Sequence, residues 1–554
     1  MRNELCGGMH MMIGAVKLVL SVLFASTVWL AEPPRASAAA AQRNSGTQCT
    51  SLVGDYQGIG DAPTQVLSAS LVEAAGEIPA YCEVTGYIAP YQSFELRLPV
   101  EGWNGKYAQV GCGGMCGAPV PWLCDDPLIR GYACMAPDLG HRSGNDSNWA
   151  RDNLQARMDF GFRGVHVAAV AGKALTERFY GQAPRLSYFL GSSTGGRLAM
   201  IEAQRFPWDF NGILSGVPIL NQTGDQMTIM WTALAFGGQK GQPVITPDDA
   251  RMLHEAVLER CDMNDGFQDR LIGDPRDCNF DPGVLLCGGA KTPGCLTQEQ
   301  LAAVRKIYSG PVNSKGEPLY AGGMELGSEL FWTNGYYETL RYNNSVDRFR
   351  NFAFFPSPPP NWKPENFNWD EDYKRLGLTE SFYGASNPDL RKAKAAGAKV
   401  IMFGAWGDEA VFPRNIVDYY ESVTRLMGGP EKPLDFFRLF MIPGMNHAGG
   451  DGVWAADSID WFTHLEAWVE KNQAPDVVVG AHLRSHATRA QAMAGMRSVK
   501  PGSTLRRSAD GRVYSTNLAR DAEFTRPIYP YPLRTKYKGS GDPNDAANWK
   551  QVTP

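Results

Sequence analysis

Short apolar runs alternate with longer amphipathic stretches along the first half of the chain. Runs at 105–110, 131–136 and 186–190 predict strands, and a helix is expected to leave the third near Gly195. Two later runs, 398–404 and 436–442, predict strands of the same buried kind. Near-continuous apolar strands alternating with helices argue for a mainly parallel sheet covered on both faces.

From 220 to 390 the texture changes. The stretch is rich in Gly, Pro, Asn and aromatic residues, as in Phe331-Trp332 and the Pro-rich 355–364, with little clear periodicity. It reads as a lid-like insertion in the α/β domain. A chain of 554 residues exceeds what one compact core supports, which agrees with a substantial second unit. The expected plan is a leader at 1–40, core at 41–219, insertion at 220–390 and core again at 391–554.

The N-terminus carries Arg2 and Lys17 before an apolar run at 18–31, then small residues at 36–41. That run is shorter than the roughly 20 residues a bilayer span needs. It reads as a signal peptide cut near 38–41, with an uncleaved anchor as the alternative. Removing the leader with Cys6 leaves Cys49, Cys82, Cys112, Cys116, Cys124, Cys134, Cys261, Cys278, Cys287 and Cys295. An even number in an exported chain suggests five disulfides and a secreted or periplasmic protein. Zinc is the other use of clustered Cys, but no CxxC pair occurs. A formal net charge of −5 points to no nucleic-acid partner, and nothing after the leader resembles a membrane span.

Gly191-Ser192-Ser193-Thr194-Gly195 contains the pattern G-x-S-x-G between a predicted strand and a predicted helix. Small residues around Ser193 permit the sharp turn that exposes a nucleophilic hydroxyl at a helix N-terminus. A serine hydroxyl needs a base. His447 follows the 436–442 strand in Pro443-Gly444-Met445-Asn446-His447, whereas His141 and His166 precede the serine. Asp408 follows the 398–404 strand in Ala405-Trp406-Gly407-Asp408. Asp451 is a competitor, but it stands too close after His447 to leave a strand of its own. The order Ser193, Asp408, His447 is the one α/β-hydrolases use, so the fold class expected is an α/β-hydrolase with the insertion between the Ser and Asp strands. An oxyanion hole needs N–H groups beside Ser193. Thr194 supplies one, and Gly113 or Gly114, in the glycine-rich loop after the 105–110 strand, supplies the other.

Together with the tail Lys538-Gly539-Ser540-Gly541-Asp542-Pro543-Asn544-Asp545-Ala546-Ala547-Asn548, these motifs resemble the tannase/feruloyl esterase family over nearly the whole mature chain. The resemblance implies a secreted serine esterase that cleaves small aromatic (phenolic) acid esters, with terephthalate mono-esters or other aryl esters as the alternative substrates. It needs no organic cofactor. It also implies a structural Ca2+ site in Cys261-Asp262-Met263-Asn264-Asp265-Gly266-Phe267-Gln268-Asp269-Arg270-Leu271. Asp262, Asp265 and Asp269 would bind through side chains, and Phe267 and Leu271 through carbonyls, all hard oxygen ligands. By spacing alone the segment is equally a solvated turn, and it lacks the Glu that would end an EF-hand loop.

The resemblance further implies the disulfides Cys49–Cys82, Cys261–Cys278 and Cys287–Cys295, leaving Cys112, Cys116, Cys124 and Cys134 to pair among themselves. Two departures stand out. Where the family carries a Cys before the nucleophile and one after the catalytic His, this chain has Ser192 and Ala448, and a C-terminal pair is replaced by Tyr529 and Gln551. A peptidase, or a non-catalytic binding protein on the same fold, are the rivals. The first would cleave amides, and the second would leave Ser193 unacylated.

Overall fold

The computed structural model describes residues 46–237, 243–333, 340–449, 453–484 and 503–554. The expected leader with Cys6, and the competitor Asp451, lie outside the described residues. Ser45–Pro554 forms one compact unit.

Ten strands make one sheet: β1 (Gly54–Tyr56), β2 (Thr64–Val72), β3 (Tyr81–Ile88), β4 (Gln92–Pro99), β5 (Lys106–Val110), β6 (Ala133–Pro137), β7 (Leu186–Ser192), β8 (Gly212–Gly216), β9 (Lys399–Ala405) and β10 (Phe437–Ile442). Their order is β1-β2-β3-β4-β6-β5-β7-β8-β9-β10. The first part, through β4 to β6, is antiparallel. From β6 onward every pairing is parallel. Burial follows from this: β5, β6, β8 and β10 are buried at every position, as strands covered on both faces must be.

Successive residues of β9 serve opposite layers. Val400 and Met402 join a core with Phe189, Ile201 and Leu439, while Ile401 and Phe403 join another with Leu190, Leu214 and Trp461. After β5 the chain turns to one side of the sheet, into β6, and after β7 to the other, into β8. Ligands of open α/β sheets bind at such a reversal, beyond the carboxyl ends of the strands.

The insertion lies between β8 and β9. It holds the helices Gln222–Ala235, Pro247–Cys261, Gln298–Ser309 and Leu340–Arg348, more helix than its sequence texture suggests. Capping boxes start two of them, Thr246 with Asp249 and Thr297 with Gln300. Its aromatic residues build cores of its own: Trp332 packs with Leu253, Val304 and Ile307, and Phe349 packs with Phe354, Trp362 and Phe367. Phe412, which follows β9, enters the first of these and joins insertion to sheet.

Ten cysteines pair as Cys49–Cys82, Cys112–Cys116, Cys124–Cys134, Cys261–Cys278 and Cys287–Cys295. Among the described residues, that takes up the thiolates a zinc ion would need. No described helix is long and apolar enough to cross a membrane.

Candidate active site

Ser193 sits where β7 gives way to the helix Thr194–Arg205, with φ 60° and ψ −121°. A non-glycine residue held in that region is strained and persists only where its surroundings fix it. The surroundings here are glycines. A Cβ on Gly191 would fall 2.4 Å from the Gly195 carbonyl oxygen, and one on Gly111 would fall 2.5 Å from Gly195 Cα. The Ser193 N–H donates to the Gly216 carbonyl at 2.9 Å, which fastens the turn to the end of β8.

The structure brings Ser193, His447 and Asp408 together although they leave three different strands. His447 Nε2 is 3.0 Å from Ser193 Oγ, and His447 Nδ1 is 2.9 Å from Asp408 Oδ2. A carboxylate only accepts, so Nδ1 donates to it and Nε2 is left to accept from the serine. Asp408 is fully buried, and its Oδ1 accepts the N–H groups of Ala410 and Val411, both at 2.8 Å. Glu409, which sequence reasoning passed over, accepts the His447 backbone N–H at 3.1 Å. Burial, and then the charge of Asp408, push the Glu409 carboxyl above its usual range.

The glycine loop after β5 folds over the same turn. Gly111, Cys112, Gly113 and Gly114 line one cleft with Ser193 and His447. The Cys112–Cys116 disulfide closes the loop, and Gly114 holds φ +59° within it. The Thr194 hydroxyl donates to the Gly114 carbonyl at 2.6 Å. His141 reinforces the loop: its Nε2 is 2.7 Å from the Met115 carbonyl and its ring stacks on Trp149 at 3.7 Å. Burial lowers the His141 pKa, which favours a neutral ring. Nothing local in the sequence marks His141 for this task.

The cleft encloses about 780 Å3 and is lined by Val120, Trp122 and Val411 from the core. Among the described residues, the insertion contributes Asp225, Gln226, Ile229, Arg341, Asn344 and Arg348 to its wall, while Trp332, Phe349 and Phe367 go to its own cores and Phe352 and Tyr383 to a core of the sheet. These described wall residues are polar, charged or aliphatic.

The acidic loop lies elsewhere. Asp262 accepts the N–H groups of Asp269 and Arg270 at 3.1 and 3.0 Å, Asp265 that of Phe267 at 3.0 Å, and Asp269 that of Leu271 at 3.1 Å. Arg526 pairs with Asp269 at 2.7 Å. Burial and the charges of Asp269 and Asp262 push the Asp265 carboxyl up to about 7. This excess of negative charge, on hard oxygens, fits a calcium ion. No three His, Cys, Asp or Glu side chains among the described residues converge on a metal position by themselves, so carbonyls such as those of Phe267 and Leu271 must complete any such set. The loop touches the histidine turn: a Cβ on Gly444 would fall 2.4 Å from Leu271 Cδ2, and Trp454 donates to the Asp269 carbonyl at 2.7 Å.

Comparison with known proteins gives one consistent result. The family described as "Tannase and feruloyl esterase" matches residues 75–552. A mono(2-hydroxyethyl) terephthalate hydrolase of Piscinibacter sakaiensis is 32% identical over 563 residues, covering 88% of this chain and 87% of that protein. A protein of Neosartorya fischeri named "Probable feruloyl esterase B-2" is 27% identical over 516 residues, covering 89% and 88%. The crystal structure of feruloyl esterase B from Aspergillus oryzae, 24% identical, covers 92% of this chain and 100% of its own with a TM-score of 0.76, and so shares the fold.

Proposed function

The chain belongs to the tannase and feruloyl esterase family and is a carboxylic ester hydrolase, and we propose that it cleaves esters of aromatic, phenolic acids through an acyl-enzyme on Ser193. The observation that carries this reading is the unbroken hydrogen-bond chain from Asp408 through His447 to Ser193 at the base of the cleft.

Ser193 Oγ attacks the ester carbonyl carbon as its proton passes to His447 Nε2. Asp408 holds the ring in the tautomer that can accept and stabilises the imidazolium that forms. The negative oxygen of the tetrahedral intermediate is bound by the N–H groups of Thr194 and of Gly113 or Gly114. Loss of one such donor costs about a hundredfold to a thousandfold in kcat in enzymes of this kind. His447 then protonates the departing alkoxide, the carbon–oxygen bond breaks, and the acyl group stays on Ser193. Water, deprotonated by His447, repeats the sequence and frees the acid.

The insertion acts as the lid, because it supplies one wall of the cleft. Calcium, when bound by Asp262, Asp265, Asp269 and the carbonyls of Phe267 and Leu271, would neutralise the acidic loop and stiffen the support of the histidine turn. Five disulfides support the reading of an exported protein, processed near 38–41.

A second reading, hydrolysis of a terephthalate mono-ester, is favoured by the 32% identity, over 88% of this chain, to a mono(2-hydroxyethyl) terephthalate hydrolase. Hydrolysis rates on methyl ferulate, methyl gallate, chlorogenate and a terephthalate mono-ester separate the two. A higher kcat/KM on a phenolic ester is the expected result. Preference for the terephthalate ester selects the second reading, and inertness toward all four removes both.

A further inference from the structure

A hairpin remote in sequence from every motif reaches the reacting pair. Between β11 (Val478–Leu483) and β14 (Ala522–Ile528), which pair with each other in a separate two-stranded sheet, β12 (Leu505–Arg507) pairs with β13 (Val513–Ser515) to form the hairpin. The tip, Ala509 to Arg512, lines the same cleft as Ser193 and His447. Its base is clamped to the core. Arg507 donates to the Trp122 carbonyl at 2.9 Å and to Asp125 at 3.1 Å, and the Tyr514 hydroxyl donates to Asp126 at 2.9 Å.

From this held position Arg512 spans the two loops that carry the chemistry. One nitrogen, Nη1, donates to Ser192 Oγ at 2.8 Å and to Asp510 at 3.1 Å. The other, Nη2, donates to the His447 carbonyl at 3.0 Å. The guanidinium lies 4.9 Å from the centre of the Phe403 ring of β9, and the side chain is only 8% exposed. His447 is thus held at three points: its ring by Asp408, its N–H by Glu409 and its carbonyl by Arg512.

We propose that Arg512 is a positioning residue for ester hydrolysis, its planar fork fixing the distance between Ser193 Oγ and His447 Nε2 by bridging Ser192 and the His447 carbonyl. The inference rests on the reading of Ser193 and His447 as the reacting pair. A guanidinium suits the task because its donors are rigidly spaced, whereas an ammonium is a single point on a flexible stem. The contacts fall on the backbone of His447 itself and on the side chain of the residue before Ser193, so a small shift there passes into the attack geometry.

The test uses the full mature protein with Arg512→Ala, Arg512→Lys, Ser192→Ala and Ser193→Ala, measuring kcat, KM and Tm on a short aryl ester. In Arg512→Ala, kcat is expected to fall about tenfold to a hundredfold while KM stays within about twofold. Added methylguanidinium restores part of that kcat, which a loss of fold stability alone would not allow. Arg512→Lys and Ser192→Ala should each lose less. A folded Arg512→Ala with kcat within about twofold of wild type, or one that methylguanidinium leaves unchanged, overturns the proposal. Should Arg512→Ala not fold, undiminished kcat in both Arg512→Lys and Ser192→Ala overturns it instead. Turnover surviving in Ser193→Ala would sink the underlying reading, whereas an inactive Ser193→Ala beside an unaffected Arg512→Ala sinks only the positioning role.

Discussion

Thr194 donates its hydroxyl to the carbonyl of Gly114, 80 residues upstream, at 2.6 Å. The contact ties the glycine loop to the residue that follows Ser193, so the two proposed oxyanion donors are held by one hydrogen bond. Thr194→Val keeps the shape and removes the donor. It should cost about 1 kcal/mol of stability and lower kcat by about tenfold, with Thr194→Ser close to wild type. Thermal unfolding and steady-state kinetics read the two effects. A Thr194→Val enzyme with unchanged kcat would detach the loop from catalysis.

The turn at Ser193 leaves no room for a side chain at Gly191, whose Cβ would lie 2.4 Å from the Gly195 backbone oxygen. The obstacle is backbone rather than a side chain that could swing aside. Gly191→Ala should therefore destabilise by about 1–3 kcal/mol or more and abolish turnover. A soluble, folded Gly191→Ala with wild-type activity would mean the turn has another conformation available.

Glu409 carries a pH dependence with a definite sign. Burial and Asp408 raise its carboxyl, so the folded state binds that proton more tightly than the unfolded state does. The associated stability is present below the ordinary carboxylate pKa of about 4.3 and is lost as pH rises through the folded value. Glu409→Gln keeps an acceptor for the His447 N–H and cannot ionise. Its Tm relative to wild type should accordingly rise between acid and neutral pH. A Tm difference that does not change with pH would show that Glu409 ionises without penalty.

Three carboxylates crowd the loop around Asp265, and Arg526 meets them at Asp269. Chelation of calcium should lower Tm, and added Ca2+ but not Mg2+ should restore it, because the loop offers several oxygens in irregular geometry. Activity should fall in parallel, since Leu271 packs on the Gly444 turn that leads to His447. Differential scanning fluorimetry with and without chelator, on wild type and Asp265→Asn, reads this out. Equal Tm values under both conditions would remove calcium from the account.

The parts of this protein legible in the sequence are those where chemistry and local geometry coincide. The largely buried strands β5, β7, β9 and β10 stand out as apolar runs, and Ser193, Asp408 and His447 lie in the turns that leave β7, β9 and β10. The antiparallel strands β2 and β3 are harder to see, since part of their surface faces solvent and blurs the apolar signal. Two helices of the insertion, Gln222–Ala235 and Leu340–Arg348, bury polar residues such as Asp225, Arg341 and Ser345, which blurs their pattern. Pro247–Cys261 and Gln298–Ser309 carry short aliphatic stripes, Leu253 with Val257 and Leu301 with Val304, amid Gly- and Pro-rich chain. The capping pairs Thr246–Asp249 and Thr297–Gln300 were the available signal. Cysteine spacing left the pairing of Cys112, Cys116, Cys124 and Cys134 open, and proximity in the fold decides it. Arg512, Glu409 and His141 act through tertiary contacts, and Arg512 reaches Ser192 across 320 positions, which no local pattern records.

Ser193 as the nucleophile that carries the acyl group is tested by intact-protein mass spectrometry after treatment with a fluorophosphonate, which phosphonylates an activated serine. One adduct per chain is expected, mapped by peptide digestion to the segment containing Ser193, with hydrolysis of aryl esters lost in proportion and no adduct on Ser193→Ala. Labelling at another serine, or full esterase activity in a quantitatively labelled or Ser193→Ala protein, would contradict it.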